Sequence, residues 1–577
     1  MDTAQAWWSS YPEGVGREAQ PFPVENLGQL VRRAAERYGD RKAETLVLPN
    51  GMQASLSFKE VDRLSDDFAS YLQHGLQLKP GARIAILLPN SLAYPICAFG
   101  ALKAGCVVVN TNPLYTPREL ELQLQDSGAE VLVVLDHFGD KVVSVVPRTQ
   151  VKTIVVAGIA DFFPLIPRTL IQTKLKLSGM IPALGLPFTR LPRALHQGAL
   201  YLAKEHLLPD AVKHPSPTRE SLALLQYTGG TTGTSKGAML SHGNLLANLE
   251  QIAEITRVYL TYGEETVLTV LPMYHVIAFT INLLFGFHTG SHSVLVPNPR
   301  PPKNLRAAFR NHEITWMTAV NTLLKALPDE GWFQPQMTAK MLAVFAGGMQ
   351  THPAVLQRWE ATTGCLVIEG FGLSEASPLV TYNAAVRAGG RLRRTMQQVG
   401  GVGLPLPGTE VRVLDEEENP LRTGDHGEIA VRGPQVMQGY WNQPEETART
   451  LRGGWLHTGD IGCFDGDGYL QITDRKKDMI IVSGFNVFPN EVEACIALHP
   501  DVADVAVVGI PSEDTGEAVR AFVVARKHLT PEEIRAHCRS LLVNYKVPTS
   551  FSFLAEIPKN AVGKALRREL RAVAAQG

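Results

Sequence analysis

With 577 residues, 45% of them hydrophobic, the chain exceeds one ordinary core and predicts two or more domains. Its 55 basic and 56 acidic residues leave a formal net charge of −1, which excludes a global pull toward nucleic acid or anionic lipid, so any charged partner must be met by a local patch. Six cysteines (Cys97, Cys106, Cys365, Cys463, Cys495 and Cys538) lie scattered without C-x-x-C spacing, which suits a reduced cytosolic protein with no zinc site.

The opening segment, Met1 to Trp8, has neither a basic nor an apolar signal region, and no run reaches the roughly 18 apolar residues of a spanning helix. The expectation is a cytoplasmic protein, soluble or peripheral on the inner face of the cytoplasmic membrane. From Arg83 to Asp136, short β-rich runs (84–88, 106–109, 131–135) alternate with helical patterns, which predicts βαβ units and a parallel sheet. Residues 162–204 break that rhythm with five prolines, many Leu and Ile, six cations (Arg168, Lys174, Lys176, Arg190, Arg193, Lys204) and no acid. Two readings stand: an irregular surface excursion packing its own apolar residues, or an interfacial patch that sets apolar side chains into an anionic headgroup layer.

Beyond a short apolar strand at 222–226, residues Tyr227 to Gly237 gather Thr228, Gly229, Gly230, Thr231, Thr232, Gly233, Thr234 and Ser235 in front of Lys236. Glycines let successive backbone N–H groups turn inward, hydroxyls add donors, and the lysine supplies a mobile point charge for polyphosphate. The Walker pattern is excluded, because Gly237 stands where Ser or Thr must follow the lysine. Ser241 then opens a helix, and strands at 267–271, 293–296 and 341–345 resume the alternation. Farther on, 451–473 reads as turns and strands of an antiparallel region, Asp474 to Asp478 as a charge run of the kind that forms solvated turns, and the rest as a small α+β unit with helices at 491–498 and 531–542.

The stretch 227–237 matches the phosphate-binding signature of the adenylate-forming superfamily, and with further motifs from Asn112 to Lys564 the chain resembles bacterial long-chain fatty-acyl-CoA synthetases. The resemblance implies a large α/β N-terminal domain (1–474) with parallel sheets and an antiparallel region, and a small mobile α+β C-terminal domain (475–577) hinged near Lys477. It implies ATP and CoA as co-substrates, Mg²⁺ as cofactor, a fatty acid as substrate and no nucleic acid, and it leaves a homodimer open. Gly347 and Gly348 would let adenine lie against the backbone, although alone they read equally as a strand-end turn. Within Glu369 to Glu375, Gly370, Phe371 and Gly372 would flank the base, while Ser374 offers a hydroxyl and Glu375, with Thr231, a place for Mg²⁺. Phe371 stands where relatives usually have Tyr, so a hydroxyl contact is lost.

Asp460 is implied to accept the ribose hydroxyls, with Ile472 and Arg475 beside the nucleotide. Lys564, with Lys236 and Glu375, is implied to be catalytic, bridging the substrate carboxylate and the α-phosphate. Ser483, Gly484 and Phe485 would flank a CoA tunnel, and His275, Val276 and Phe279 an acyl pocket, although this apolar stretch reads equally as core. The implied reaction is carboxylate to acyl-AMP to acyl-CoA. Alternatives are a medium-chain or aryl-acid CoA ligase, an acyl-AMP ligase serving a carrier protein, or a non-catalytic lipid- or nucleotide-binding protein.

Overall fold

The computed structural model describes residues 3–182, 184–205, 216–228, 235–348, 351, 353–388, 391–395, 401–483, 485–512, 514–560 and 563–576. Among these, the βαβ alternation builds two large sheets. An eight-stranded sheet runs in the order Gly439–Tyr440, Lys236–Ser241, Leu222–Thr228, Val107–Asn110, Arg83–Leu87, Val131–Leu135, Thr153–Ala157, Thr189–Arg190. A nine-stranded sheet runs from Leu404–Pro405 through Leu379–Tyr382, Leu366–Gly372, Ala343–Ala346, Trp316–Ala319, Thr266–Thr269 and His292–Leu295 to Lys42–Val47 and Gln53–Ser57. Its interior pairings are parallel, and interior strands such as Trp316–Ala319 are buried throughout, as sheets covered on both faces require.

The helix His242–Thr256 starts at a capping box: the Ser241 hydroxyl accepts from the Asn244 N–H, and the Asn244 side chain accepts from the Ser241 N–H at 3.0 Å. From Leu245 onward every residue of this helix is buried, two carboxylates included. Glu250 accepts the N–H of Phe22 and Glu254 the N–H of Gly16, both at 2.7 Å, and Arg219 and Arg257 neutralise them. The N-terminal segment thus straps the outer side of a helix whose other side faces the nine-stranded sheet.

Residues 162–204 are not the irregular excursion considered above. They form the helices Leu165–Leu177 and Leu191–Glu205, with the short strand Thr189–Arg190 between them. The prolines permit this because Pro164 caps the first helix, while Pro167 and Pro192 fall in first turns, where a missing N–H goes unnoticed. Leu165, Ile166 and Leu177 are more than 70% exposed. Arg190 reaches Asp136 at 3.1 Å and Arg168 approaches Asp161 at 4.0 Å, acids supplied from outside the stretch.

An antiparallel region of five strands, from Glu410–Leu414 to Leu470–Arg475, precedes a smaller five-stranded sheet built from residues 480–553. That smaller sheet is antiparallel except where Ser550–Phe553 runs parallel to Gly516–Ala525. The helices Pro489–Ala497 and Pro531–Arg539 match expectation, the second ending three residues early. Among the described residues, no helix is long and apolar enough to cross a membrane.

A line of polar side chains crosses the nine-stranded sheet. The Thr318 hydroxyl donates to Asn282 at 2.9 Å, the Asn282 amide to Thr269 at 3.2 Å, and Thr269 and Ser293 share a hydrogen bond of 2.7 Å. Ser293 bonds the buried carboxyl of Glu44, which burial holds protonated well above the usual carboxylate range. The unfolded chain loses this proton near 4.5 while the folded chain keeps it, so stability falls as pH rises from there toward the folded value. Glu44→Gln is expected to erase that slope: urea unfolding at pH 5 and pH 7.5 should show the variant gaining on the parent by up to about 1.4 kcal/mol per pH unit.

Candidate active site

The strand Leu222–Thr228 pairs antiparallel with Lys236–Ser241, so Thr228 lies directly opposite Lys236. The Ser235 hydroxyl donates to the Thr228 carbonyl at 2.8 Å. Gly229, Gly230, Thr231, Thr232, Gly233 and Thr234, and likewise Gly484, lie outside the described residues. The Lys236 ammonium contacts the Glu446 carboxylate and stands 5.3 Å over the ring of Tyr440, whose hydroxyl donates to Glu375 Oε1 at 2.7 Å. These segments are stitched by backbone: Tyr440 pairs with Ala238, Trp441 N–H donates to the Gly237 carbonyl at 2.8 Å, and Met437 N–H to the Glu375 carbonyl at 2.8 Å. Tyr440 and Glu446 were not expected. Their signal was weak, because Pro444 followed by two acids reads as an ordinary first turn of a helix.

Gly347, Gly348, Glu369, Gly370 and Gly372 come together at strand ends of the nine-stranded sheet, where they line one end of an apolar pocket. Its sheet wall is Trp316, Thr318, Phe345 and Ile368, and its helix wall is Ile252, Ile255 and Tyr259 with Ile277, Ile281 and Phe285. Trp316 stands opposite Ala343, five residues before Gly348, so the lining residues span about 16 Å along the strands. Val276 and Phe279, expected at an acyl pocket, are instead buried in the core. Residues at intervals of four, 277, 281 and 285, turn the other face of the π-helical segment Ala278–Leu284 to the cavity. His275 adjoins this wall with Nδ1 buried and unpartnered, and burial lowers its pKa to about 4, leaving a neutral ring.

The glycines divide by what requires them. A Cβ at Gly372 would lie 2.0 Å from the Pro378 carbonyl, and one at Gly370 2.8 Å from Leu379, so the turn into Leu379–Tyr382 demands both. A Cβ at Gly347 would meet nothing nearer than 3.5 Å. Phe371 is half-buried against the core, Ser374 begins a 3₁₀ turn, and Glu369 is buried with its carboxylate accepting the Thr351 N–H at 3.2 Å. Burial raises the pKa of Glu369.

Asp460 and Arg475 face each other across antiparallel strands, and Arg475 Nε meets Asp460 Oδ1 at 2.9 Å. Ile472 is half-buried opposite Gly462, two residues on from Asp460, and packs against the main core. Lys564 belongs to the same group: loss of solvation, then repulsion by Arg475, lowers its pKa to about 8, while Asp460 pulls the other way. Lys477 is lowered to about 8 for the same two reasons. Asn560 Oδ1 fixes the turn by accepting the Lys564 N–H at 2.8 Å. The charge run expected to be solvated is only partly so: Asp474 and Asp478 are buried, while Lys476 and Lys477 are exposed. Ser483 and Phe485 are not brought to the cavity. Phe485 is 56% exposed and stacks on Tyr545 with ring centres 4.8 Å apart.

The sequence profile of the AMP-binding enzyme family matches residues 31–441, and that of the AMP-binding enzyme C-terminal domain matches residues 491–564. The long-chain-fatty-acid–CoA ligase of Escherichia coli O157:H7 is 42% identical over 571 residues, 98% of each chain. Among solved structures, ATP-bound MatB from Rhodopseudomonas palustris superposes with a TM-score of 0.78 at 25% identity, covering 95% of this chain and 99% of that one. The anthranilate CoA ligase AuaEII in complex with anthranoyl-AMP gives 0.80 at 24% identity over 96% and 98%, which speaks to the fold.

The two kinds of glycine are separable by stability. Gly372→Ala is expected to cost about 1–3 kcal/mol through overpacking against a carbonyl that cannot retreat, and Gly347→Ala less than about 0.5 kcal/mol. Denaturant unfolding of the pair would show it, and equal losses would mean that close packing demands glycine at both positions.

Proposed function

The chain belongs to the AMP-binding enzyme family, and from that premise we propose that it activates a long-chain fatty acid through acyl-AMP to acyl-CoA, releasing AMP and pyrophosphate. The observation that carries the proposal is the apolar pocket lined at one end by the strand-end glycines 347 and 348. An acid seated there leaves its carboxylate at that end and its chain between sheet and helices. The name carried by the E. coli relative supports the long-chain acid and CoA.

The acid arrives as an anion at neutral pH, so attack on the α-phosphate needs no general base. Charge then develops on the α-phosphate and the departing pyrophosphate, where Lys564, Lys236 and the donors of residues 228–236 stabilise it. Adenine lies against Gly347, Gly348 and Phe371, and Asp460 accepts the ribose hydroxyls while Arg475 holds its carboxylate in place. One Glu375 oxygen takes the Tyr440 hydroxyl and the other has no partner among the described residues. A single carboxylate completed by phosphate and water suits Mg²⁺, which when bound supplies further positive charge on the phosphates. Neutral His275 offers polarity near the carboxylate without a second charge.

In the second step the CoA thiol attacks the acyl-adenylate and AMP leaves. The domain boundary lies between residues 474 and 475, and the small domain turns about Lys477, withdrawing Lys564 and presenting Ser483, Gly484 and Phe485. The exposure of Phe485 suits a surface that is covered only in the second orientation. The helices of residues 162–204, with exposed Leu165, Ile166 and Leu177 beside Lys174 and Lys176, form a peripheral contact for an anionic lipid surface.

CoA-dependent AMP release across a graded panel of fatty and aromatic acids tests the function: activity should peak with long-chain acids, and a preference for aromatic acids would refute the substrate class. Lys564→Ala should lose adenylation by far more than thioesterification of supplied acyl-AMP, because its charge is needed while the α-phosphate reacts. Equal losses would reject the assignment to the first step. Changing Lys174, Lys176 and Arg193 to Gln should weaken co-sedimentation with anionic vesicles by up to about 1 kcal/mol per charge, with soluble short-chain acids still activated. Unchanged sedimentation would remove the membrane contact.

A further inference from the structure

We propose that Glu446 is a positioning residue that holds the Lys236 ammonium in the ligand-free enzyme and gives it up to the nucleotide's polyphosphate, so that this carboxylate competes with ATP and sets its affinity. The inference rests on the function proposed above.

Lys236 begins the strand Lys236–Ser241 with its side chain 16% exposed, and the described groups that face its charge are the Glu446 carboxylate and the Tyr440 ring. A carboxylate and a polyphosphate brought to this one ammonium repel each other and divide its charge, and the phosphate carries the higher charge. Glu446 is delivered to a fixed place. The Thr447 hydroxyl next to it accepts the Tyr440 N–H at 2.9 Å and donates to the Gln443 carbonyl at 2.8 Å, locking the helix Pro444–Thr450 to the strand that pairs with Lys236–Ser241. Tyr440 in turn holds Glu375, so the resting position of the lysine is registered against a second carboxylate of the site.

The exchange leaves no stranded charge. Glu446 Oε1 already takes a hydrogen bond from Arg449 Nη1 at 2.9 Å, so the carboxylate keeps a partner after Lys236 departs, and its side chain is 29% exposed to water. Glu446 therefore acts through Lys236 and has no part in the chemistry. Its effect belongs in KM for ATP and in the affinity for pyrophosphate.

Glu446→Gln in the full-length enzyme keeps the size of the side chain and removes the competing charge. KM for ATP and the inhibition constant for added pyrophosphate should both fall about two- to fivefold, the range a partly exposed ion pair commands, with KM for the fatty acid unmoved. Glu446→Asp should retain most of the parent's KM for ATP. In a Lys236→Ala background, the Gln change should add nothing. A KM for ATP that stays the same or rises in Glu446→Gln, or the same fall without Lys236, overturns the proposal. An active parent with such a variant sinks this inference alone, whereas a parent that releases no AMP from ATP with any acid sinks the proposed function and this inference together.

Discussion

The buried guanidinium of Arg567 is the interaction on which assembly of the site depends. It lies 2.8 Å from Glu493, 3.4 Å from Asp478 and 3.5 Å from Asp474, and donates to Asn490 Oδ1 at 2.7 Å. Burial works against its charge, but Glu493, Asp474 and Asp478 outweigh that and hold its pKa above the ordinary arginine value. A lone buried cation would cost several kcal/mol; with three acids around it, the cost is met by geometry that few other arrangements of these segments reproduce. Arg567 begins the last helix, three residues after Lys564, and Asp474 directly precedes Arg475 at the end of the strand Leu470–Arg475. Anchoring one therefore brings Lys564 to the Asp460–Arg475 pair.

The cavity depends on a different balance. Helix His242–Thr256 is buried on all sides, which leaves it little freedom to collapse onto the sheet, and the strap on its outer side is tied to Glu250 and Glu254. Opposite it, Asn282 pins the π-helical turn to Thr318 and Thr269. The walls are held by hydrogen bonds behind them, so the space between can stay apolar without closing. Missing side chains at Gly347 and Gly348 then leave space at the same strand ends that carry Glu369.

Much of this was legible in the sequence, and the reasons for the rest are physical. Strands such as Val131–Leu135 and the capped helix after Ser241 announce themselves by local pattern, and the signature around Lys236 by spacing. In residues 162–204 the prolines read as helix breakers by number, whereas by position Pro164, Pro167 and Pro192 sit where helices begin. The charge run at 474–478 reads locally as a solvated turn, because Arg567 and Arg571, the partners of its two buried acids, lie some 90 residues away in the chain. Which face of residues 276–285 meets the cavity depends on a π-helical turn that apolar content does not encode. Tyr440 and Glu446 stayed hidden because a phenol and an acid at a helix start are ordinary until Lys236 is seen beside them.

The same buried cluster bears on how the small domain could turn. Asp474 and Asp478 lie on opposite sides of Lys477, and Arg567 contacts both. Asn490 adds a second tie, its N–H donating to Asp474 Oδ2 at 2.8 Å and its amide to the Thr473 carbonyl at 3.3 Å. A rotation about Lys477 separates Asp474 from Arg567 and Asn490, while Asp478 and Glu493 travel with them. Arg567 then keeps two acids of its three, and Asp474 must find water or a new donor. Since burial already raises the pKa of Asp474, its carboxylate gains solvation as it leaves, which offsets part of the lost ion pair. Three acids around one arginine thus make this orientation specific without making it permanent, which is what the proposed turn about Lys477 would require.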